Sequence, residues 1–236
     1  PWWYTMIVFI IIGYVTVGLR FATITAILLA FIGATGMWMH SMITLSSVLV
    51  SVLICFVIGV PLGVIASYNK WYRDIQNVVL DAMQTLPYFC YLIPVLMFFG
   101  GNIVSAVIAT VIYSVPPIIR LTALGLSQVS GGYSEVSKSF GGTGIQTLNK
   151  VKFPLAVPSL VMGFNQTVIM AFAMQIVTPL IGGKGLGLQV FNALQRSDTG
   201  RGLSAGLAIV LLAIIIDRIT HAWTKKQRQA LGLNQS

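Results

Sequence analysis

The side chains that could carry out chemistry are few in this sequence and do not cluster. Among 236 residues there are five acidic residues, two histidines and two cysteines. Cys55 and Cys90 lie in separate apolar runs, form no Cys-x-x-Cys pair and have no histidine nearby. Metal sites and acid–base centres need several such groups at close spacing. The sequence therefore predicts neither a metal site nor a catalytic centre in this chain.

The composition explains this scarcity, because the expected solvent is the lipid bilayer. Hydrophobic residues make up 56% of the chain and charged residues only 8%, and the mean hydropathy is +0.89. Soluble globular proteins carry about 25% charged residues. Fourteen basic and five acidic side chains cannot cover the surface of a soluble domain of this length. A soluble enzyme is therefore excluded.

Long uncharged stretches predict an all-α polytopic membrane protein. A transmembrane helix needs about 20 apolar residues to cross about 30 Å of hydrocarbon. Seven stretches suit this requirement, near residues 2–19, 21–37, 42–67, 77–99, 102–119, 155–180 and 203–220. The first two are short for a full crossing.

Basic residues predict the orientation of these spans. If segment 120–153 is cytoplasmic, eleven of the fourteen Lys and Arg residues face inside, and three face outside: Lys184, Arg196 and Arg201. Basic residues are retained on the cytoplasmic side of membrane proteins. All five tryptophans also fall at predicted span ends, where aromatic belts occur. We therefore expect the amino end outside and the carboxyl end inside, so the net charge of +9 marks the inner face and requires no nucleic acid.

The polar, glycine-rich segment 127–154 interrupts the apolar spans on the expected inner side. It predicts a short helix, a glycine break, a second short helix with capping-box spacing, and a proline that ends it; the markers are Phe140, Gly141-Gly142, Thr143 with Gln146, and Pro154. Such a hairpin suits docking into a groove of another protein. It equally suits resting on lipid, so the residues alone leave both alternatives open.

The spacing in this segment resembles the cytoplasmic signature of ABC importer permeases: Glu-Ala-Ala, three residues, Gly, nine residues, Ile-x-Leu-Pro. The matching residues are Glu135-Val136-Ser137, Gly141 and Val151-Lys152-Phe153-Pro154. Val136 and Ser137 replace the two alanines, Val151 the isoleucine and Phe153 the leucine. Other segments, within residues 37–222, resemble the glycine betaine/proline (quaternary amine) subfamily in the same order: Val60–Gly63, Asp81–Thr85, Tyr91–Pro94, Pro116–Thr122, Phe164–Thr167 and Asp217-Arg218.

The resemblance implies a type I ABC importer transmembrane domain in the bacterial cytoplasmic (inner) membrane. Its implied partners are a second copy of the chain in a homodimer, two cytoplasmic ABC ATPase subunits and an extracytoplasmic substrate-binding protein. ATP and Mg would be bound by the ATPase, so this chain would hold no cofactor. The implied function is osmoprotective import of glycine betaine, proline-type compatible solutes or other quaternary or methylated amines.

The resemblance also implies that the hairpin is a coupling helix that docks on the ATPase. The contact residues it implies are Glu135, Val136, Ser137, Lys138, Phe140, Gly141, Gly142 and Pro154.

Polar residues inside the predicted spans are candidates for a translocation path. Such side chains face a bundle or a cavity rather than lipid, and aromatic faces attract quaternary ammonium groups. The candidates are Gln84, Tyr88, Tyr91, Asn165, Gln166 and Gln175. Hydrogen bonding between helices is an equally good interpretation for Asn165 and Gln166. Ordinary packing is favoured for the two tyrosines.

The glycine-rich segment 182–187 invites comparison with a phosphate-binding loop. It lacks the first glycine at the required offset, and Gly185 stands where Ser or Thr would bind magnesium. Nucleotide binding there is therefore disfavoured. We expect an external gate or a binding-protein contact at Gly183, Gly185 and Gly187, with a plain connecting loop as the alternative.

An ion-coupled secondary transporter of a small zwitterionic osmolyte is the alternative function. Proton coupling usually needs a carboxylate deep in the membrane, and residues 82–119 and 153–183 carry no charge. Sodium coupling, which can use carbonyls and hydroxyls, stays open. The importer is favoured by the resemblance. The expected organisation is a two-span region 1–41, a permease core 42–222 with coupling loop 127–154, and a basic tail 223–236.

Overall fold

The computed structural model describes residues 2–230, except for the side chains of residues 134, 138 and 223–230. All secondary structure in this part of the chain is helical. The helices are α1 Trp2–Thr16, α2 Leu19–Ala34, α3 Trp38–Tyr68, α4 Lys70–Thr85, α5 Phe89–Phe99, α6 Ile103–Ser114, α7 Pro116–Ser127, α8 Gly131–Ser139, α9 Gly144–Thr147, α10 Phe153–Met174, α11 Leu186–Arg196 and α12 Thr199–Ala230. A π-helical segment, Leu148–Lys152, joins α9 to α10, and a 3-10 turn, Thr178–Ile181, follows α10.

Within the described residues 2–230, four helical runs are long and apolar enough to cross a membrane: Trp38–Tyr68, Ile103–Ser127, Gly144–Met174 and Thr199–Ala222. The pair α4 and α5 makes a fifth crossing if the two are counted together. Helices α1 and α2 have only 15 and 16 residues, so at 1.5 Å per residue each is shorter than about 30 Å of hydrocarbon. The predicted all-α membrane fold is confirmed, but the count of seven spans is not.

The predicted span at 77–99 is in fact two helices. Helix α4 begins much earlier, at Lys70, where the Asn69 side chain accepts a hydrogen bond from the backbone of Tyr72. It ends at Thr85, and α5 leaves it at an angle of 98°. Leu86 is extended, the conformation favoured before a proline, and Pro87 has no N–H to continue the helix. The bend places the end of α4 and the start of α5 beside α6.

The centre of the fold is the close packing of α7 between α3 and α10. Glycines allow the backbones to approach: a Cβ at Gly63 of α3 would lie 2.7 Å from the Ile119 carbonyl oxygen of α7. A Cβ at Gly163 of α10 would lie 3.2 Å from the Ile118 Cα on the same helix α7. Small residues at helix crossings are the usual basis of packing within membranes, where burial from water supplies no force between helices. Helix α7 is therefore held on two sides.

Replacement of Gly63 by alanine tests this packing. The added methyl group cannot be accommodated without moving a backbone, and overpacking of this kind costs about 1–3 kcal/mol. We expect Gly63→Ala to lower the thermal unfolding midpoint of the full chain in detergent, by about 2–4 °C for each kcal/mol lost. Gly33→Ala is the matched control, because nothing lies within 4 Å of that added methyl. Equal midpoints for the two variants would contradict the packing.

Candidate functional site

The hairpin between α7 and α10 turns at a glycine. Helix α8 ends at Ser139, and Gly141 adopts a φ of +77°, a left-handed conformation that favours glycine. The backbone N–H of Gly142 then donates to the carbonyl of Ser137, at 2.9 Å. Left-handed residues of this kind close helix C-termini. The predicted break at the glycine pair 141–142 is confirmed, but α8 ends one residue before the predicted last helical position, Phe140.

The capping box predicted at the start of the second arm is confirmed. The Thr143 N–H donates to Gln146 Oε1 at 2.8 Å, and the Gln146 N–H donates to Thr143 Oγ1 at 3.3 Å. The two arms are also joined to each other, since the hydroxyls of Ser137 and Thr147 lie 2.8 Å apart. The turn is therefore fixed by hydrogen bonds on both sides of the break.

The prediction that Pro154 ends a separate second helix is wrong. Pro154 lies in the first turn of α10, and the helix runs from Gly144 through the π-helical segment to Met174. In the π turn the N–H of Phe153 donates to Leu148, five residues earlier. The wider turn accommodates a proline, which has no N–H and would clash with a carbonyl four residues back. The second arm is thus continuous with a membrane span.

The hairpin exposes apolar side chains around a surface groove. Phe140 is 88% exposed, Ile145 74% and Val136 57%. Beside them is a groove of about 500 Å³ lined by Tyr133, Val136, Ser137, Phe140, Gly142, Gln146, Lys150 and Val151. Glu135 is exposed, and the side chain of Lys138 lies outside the described part of the chain. Contiguous exposed apolar groups rimmed by polar ones mark contact surfaces.

At the bend between α4 and α5 the structure brings three tyrosines together. The Tyr88 and Tyr113 ring centroids are 6.2 Å apart at 90°, and those of Tyr91 and Tyr113 are 6.1 Å apart at 64°. The Tyr91 hydroxyl donates to the carbonyl of Met83. Tyr88 remains 42% exposed, and Gln84, one turn before the bend, is exposed. Sequence reasoning missed Tyr113, because nothing in the sequence pairs a residue of α6 with the bend.

An ion pair joins the bent span to α7. Arg120 donates to the Asp81 carboxylate at 2.7 Å, and the two side chains are 38% and 62% exposed. The partial exposure limits its contribution to about 1 kcal/mol or less. Sequence reasoning placed Arg120 on the inner side but did not pair it with Asp81. The scarcity of acidic residues was the available signal, since few partners exist for Arg120.

The three polar residues of α10 and its end have different environments. Gln175 is buried, and its amide donates to Thr110 Oγ1 of α6 at 3.3 Å. Asn165 is buried too, but neither amide atom has a hydrogen-bond partner within the described residues. Gln166 is exposed. The bond of Gln175 connects two helices, while Asn165 carries unused hydrogen-bonding capacity.

The segment around Gly183, Gly185 and Gly187 is a close-packed corner. All three glycines are buried. A Cβ at Gly185 would lie 2.4 Å from Thr44 Oγ1, and one at Gly187 would lie 1.9 Å from the Gln175 carbonyl oxygen. The N–H of Leu186 donates to Thr44 Oγ1 at 2.8 Å. The external gate stays a prediction, and this packing requires any such gate to move as one unit with its neighbours.

Comparison with solved structures identifies the class of protein. The fold superposes on a chain of the MetNI methionine ABC transporter in inward-facing conformations with a TM-score of 0.71. That match has 22% sequence identity and covers 78% of this chain and 93% of the other. The chain therefore has the fold of an ABC importer transmembrane domain.

Sequence comparison gives the family. Residues 59–229 match the model described as "Binding-protein-dependent transport system inner membrane component", and the chain belongs to this family of multi-pass inner-membrane proteins. It is 42% identical over 223 residues to the glycine betaine/proline betaine transport system permease protein ProW of Escherichia coli K12, covering 94% of this chain. It is 45% identical over 191 residues to the glycine betaine/carnitine transport permease protein GbuB of Listeria monocytogenes, covering 81% of this chain and 68% of GbuB. The chain spans 63% of the length of ProW.

Replacement of Asn165 distinguishes its role in packing from a role in transport. A buried amide without partners costs about 1–3 kcal/mol, so we expect Asn165→Leu to raise the unfolding midpoint of the purified chain. Gln175→Leu is the control and should lower the midpoint, because it removes the bond to Thr110. If Asn165 lines a path, uptake by the assembled transporter falls although the chain is more stable. A lowered midpoint for Asn165→Leu would contradict the unsatisfied amide.

Proposed function

We propose that this chain is the transmembrane permease subunit of an ATP-driven ABC importer. The observation that carries the proposal is the hydrogen-bonded hairpin that connects two candidate membrane spans and exposes the apolar residues Val136, Phe140 and Ile145. Interaction with another protein is the use that best suits this surface, since its second arm continues rigidly into α10. Membership of a binding-protein-dependent family supports this over the ion-coupled alternative.

The substrate class of the proposal is glycine betaine and related quaternary or methylated amines. Relatives described as permeases for glycine betaine with proline betaine or with carnitine support it. A relative described as a trimethylamine N-oxide transport system permease protein, TmoV of Ruegeria pomeroyi, is 36% identical over 217 residues. The substrates of these proteins share a small, highly methylated nitrogen.

The proposed assembly contains two copies of this chain, two cytoplasmic ATPase subunits and an external binding protein. ATP and Mg would be held by the ATPase, and this chain would catalyse no covalent step. The permease core would be residues 42–222, with the amino end outside and the tail 223–236 inside. The distribution of basic residues supports that orientation. Residues 231–236 of this tail lie outside the described part of the chain.

In this assembly the hairpin would be the coupling element. Its proposed docking residues are Glu135, Val136, Ser137, Lys138, Phe140, Gly141, Gly142 and Pro154. Two features of the hairpin support this role: its arms are bonded to each other, and α7 and α10 pack closely above it. Closure of the ATPase on ATP would displace the hairpin and tip the spans as rigid bodies.

The tyrosines at the bend are the proposed place where a methylated ammonium passes. A quaternary ammonium cannot donate an N–H hydrogen bond, so the faces of aromatic rings are its natural contacts. No charged residue lies between 82 and 119, so no carboxylate from this stretch competes for the cation. Gln84, which is exposed at the end of α4, would hydrogen-bond to a polar group of the solute.

The test of the function is uptake by proteoliposomes that contain the full chain, the neighbouring ATPase and the binding protein. We expect ATP-dependent uptake of labelled glycine betaine. Gly141→Asp should abolish uptake and leave assembly intact, since aspartate tolerates the left-handed conformation but places a charge on the docking surface. Gly144→Asp is the matched control, because nothing lies within 4 Å of that position and an acidic group suits a helix start.

Two outcomes would contradict the proposal. Uptake driven by a sodium or proton gradient without ATP would establish the secondary carrier instead. Normal ATP-driven uptake by Gly141→Asp would remove the coupling role from the hairpin.

Tyr113 provides a test of the path. We expect Tyr113→Leu to reduce maximal uptake about 2- to 30-fold, the equivalent of about 0.5–2 kcal/mol for a lost cation–π contact. Tyr113→Phe keeps the ring face and should retain most of the uptake. The measurement is initial uptake at saturating binding protein, normalised to the amount of assembled complex. Similar losses for Leu and Phe would show that the ring face is not what the solute uses.

A further inference from the structure

Gln189 of α11 lies at the meeting point of three helices. It is buried, with 4% of its surface exposed. One end of its amide contacts Arg201 in the first turn of α12, and the other contacts His40 in the first turn of α3. Residues 40, 189 and 201 are far apart in sequence, so this side chain connects segments that the fold brings together. None of the three belongs to the hairpin or to the tyrosine cluster.

The chemistry of the three side chains fixes which atoms donate. Arg201 Nε donates to Gln189 Oε1 at 2.9 Å, and a guanidinium has no acceptor. The amide oxygen must therefore face Arg201, which turns Nε2 toward His40. Gln189 Nε2 is 3.2 Å from His40 Nδ1 and can only donate, so Nδ1 must accept. The chain of bonds requires an uncharged His40 with its proton on Nε2.

A proton on Nδ1 breaks this arrangement. Two donors, Nδ1 and Gln189 Nε2, would then face each other. Rotation of the amide would satisfy His40 but would place Nε2 against Arg201, again two donors. No orientation of Gln189 satisfies both neighbours once His40 is charged. A buried amide left without one partner destabilises the arrangement.

The charges around His40 reinforce this requirement. Arg201 lies at the start of α12, and Asp198 directly precedes this helix. The backbone N–H of Arg201 donates to the Asp198 carboxylate at 3.0 Å. The glycine corner brings Lys184, and α11 ends at Arg196; both are exposed. The end of α2 that precedes α3 carries no charged residue. Arg201, which is bonded to the same Gln189 amide, is the basic group that opposes a further positive charge on His40.

We propose that Gln189 is a positioning residue that fastens α11 to the first turns of α3 and α12 only while His40 is uncharged. The start of α11 has a separate anchor, the Leu186 N–H bond to Thr44, so protonation frees the helix beyond it. On the orientation proposed above, this fastening lies on the outer face, where an acid exterior would release α11. The fastening itself follows from the contacts and does not depend on the orientation.

Hydrogen–deuterium exchange of the full chain in lipid nanodiscs tests the proposal. Exchange in residues 187–196 is measured at about pH 7.5 and about pH 5. The lower pH lies well below the value near 6.5 at which imidazole ordinarily titrates, because Arg201 opposes a charge on His40. His40→Asn is the reference, because its amide oxygen takes the place of Nδ1 and cannot be protonated at these pH values. Comparing each protein with this reference at the same pH removes the intrinsic pH dependence of exchange. It also removes effects of His221, which both proteins contain.

We expect equal exchange at the higher pH. At the lower pH we expect about 2- to 13-fold faster exchange in the unmodified chain, the equivalent of the about 0.5–1.5 kcal/mol that one hydrogen bond contributes. Gln189→Glu should reverse the sign. A carboxylate accepts from Arg201 and also from a protonated His40, so acid should then slow exchange relative to Gln189→Glu combined with His40→Asn.

The proposal is overturned if the unmodified chain and His40→Asn exchange alike at both pH values. It is equally overturned if Gln189→Glu keeps the original sign, which a purely structural role for Gln189 would give. Both faces of a nanodisc meet the same buffer, so neither outcome depends on the topology or on the transport function proposed above.

Discussion

The close approach of α7 to α3 and α10 is the central constraint on this fold. Gly63 of α3 and Gly163 of α10 bring backbone and side chain of α7 to distances that no larger residue would allow. In a bilayer, such packing replaces the burial from water that holds soluble helices together. Helix α7 cannot move away from α3 or α10 without losing these contacts. The three helices are therefore expected to respond to a force as one body.

This constraint determines how a displacement of the hairpin would reach the membrane spans. The hairpin connects α7 to α10. These two helices pack closely against each other at glycines and small residues, for example where Gly125 contacts Ser159. Its second arm enters α10 through a π turn without a break, although Pro154 falls there. A displacement at the exposed turn around Phe140 would therefore reach the spans with little lost to bending. A hairpin attached through loose loops could dock equally well but could not transmit motion.

Short sequence patterns predicted local structure well, but they did not predict contacts between helices. The capping box at Thr143 and the turn at Gly141 depend on a few neighbouring residues, so the sequence was sufficient for both. Pro154 was misjudged because proline excludes a regular turn but permits a π turn, which the continuation of the helix favours. The count of seven spans is not confirmed, because α1 and α2 are apolar but have only 15 and 16 residues. The meeting of Tyr113 with the bend, and of Arg120 with Asp81, depends on how helices pack, and no spacing along the chain encodes it.

The two ends of α10 differ in a way that bears on how the molecule changes shape. At the hairpin end, apolar side chains are exposed. At the other end, Gln175 bonds to α6, the glycine corner is packed against Thr44 and Gln175, and Gln189 joins three helices. If that end opened by bending of its loops, buried polar groups would lose their hydrogen-bond partners, each at a cost of about 1–3 kcal/mol. These bonds stay intact only if the helices that they join move together. A displacement of the hairpin would therefore move the connected helices as rigid bodies. The glycine corner would move together with them.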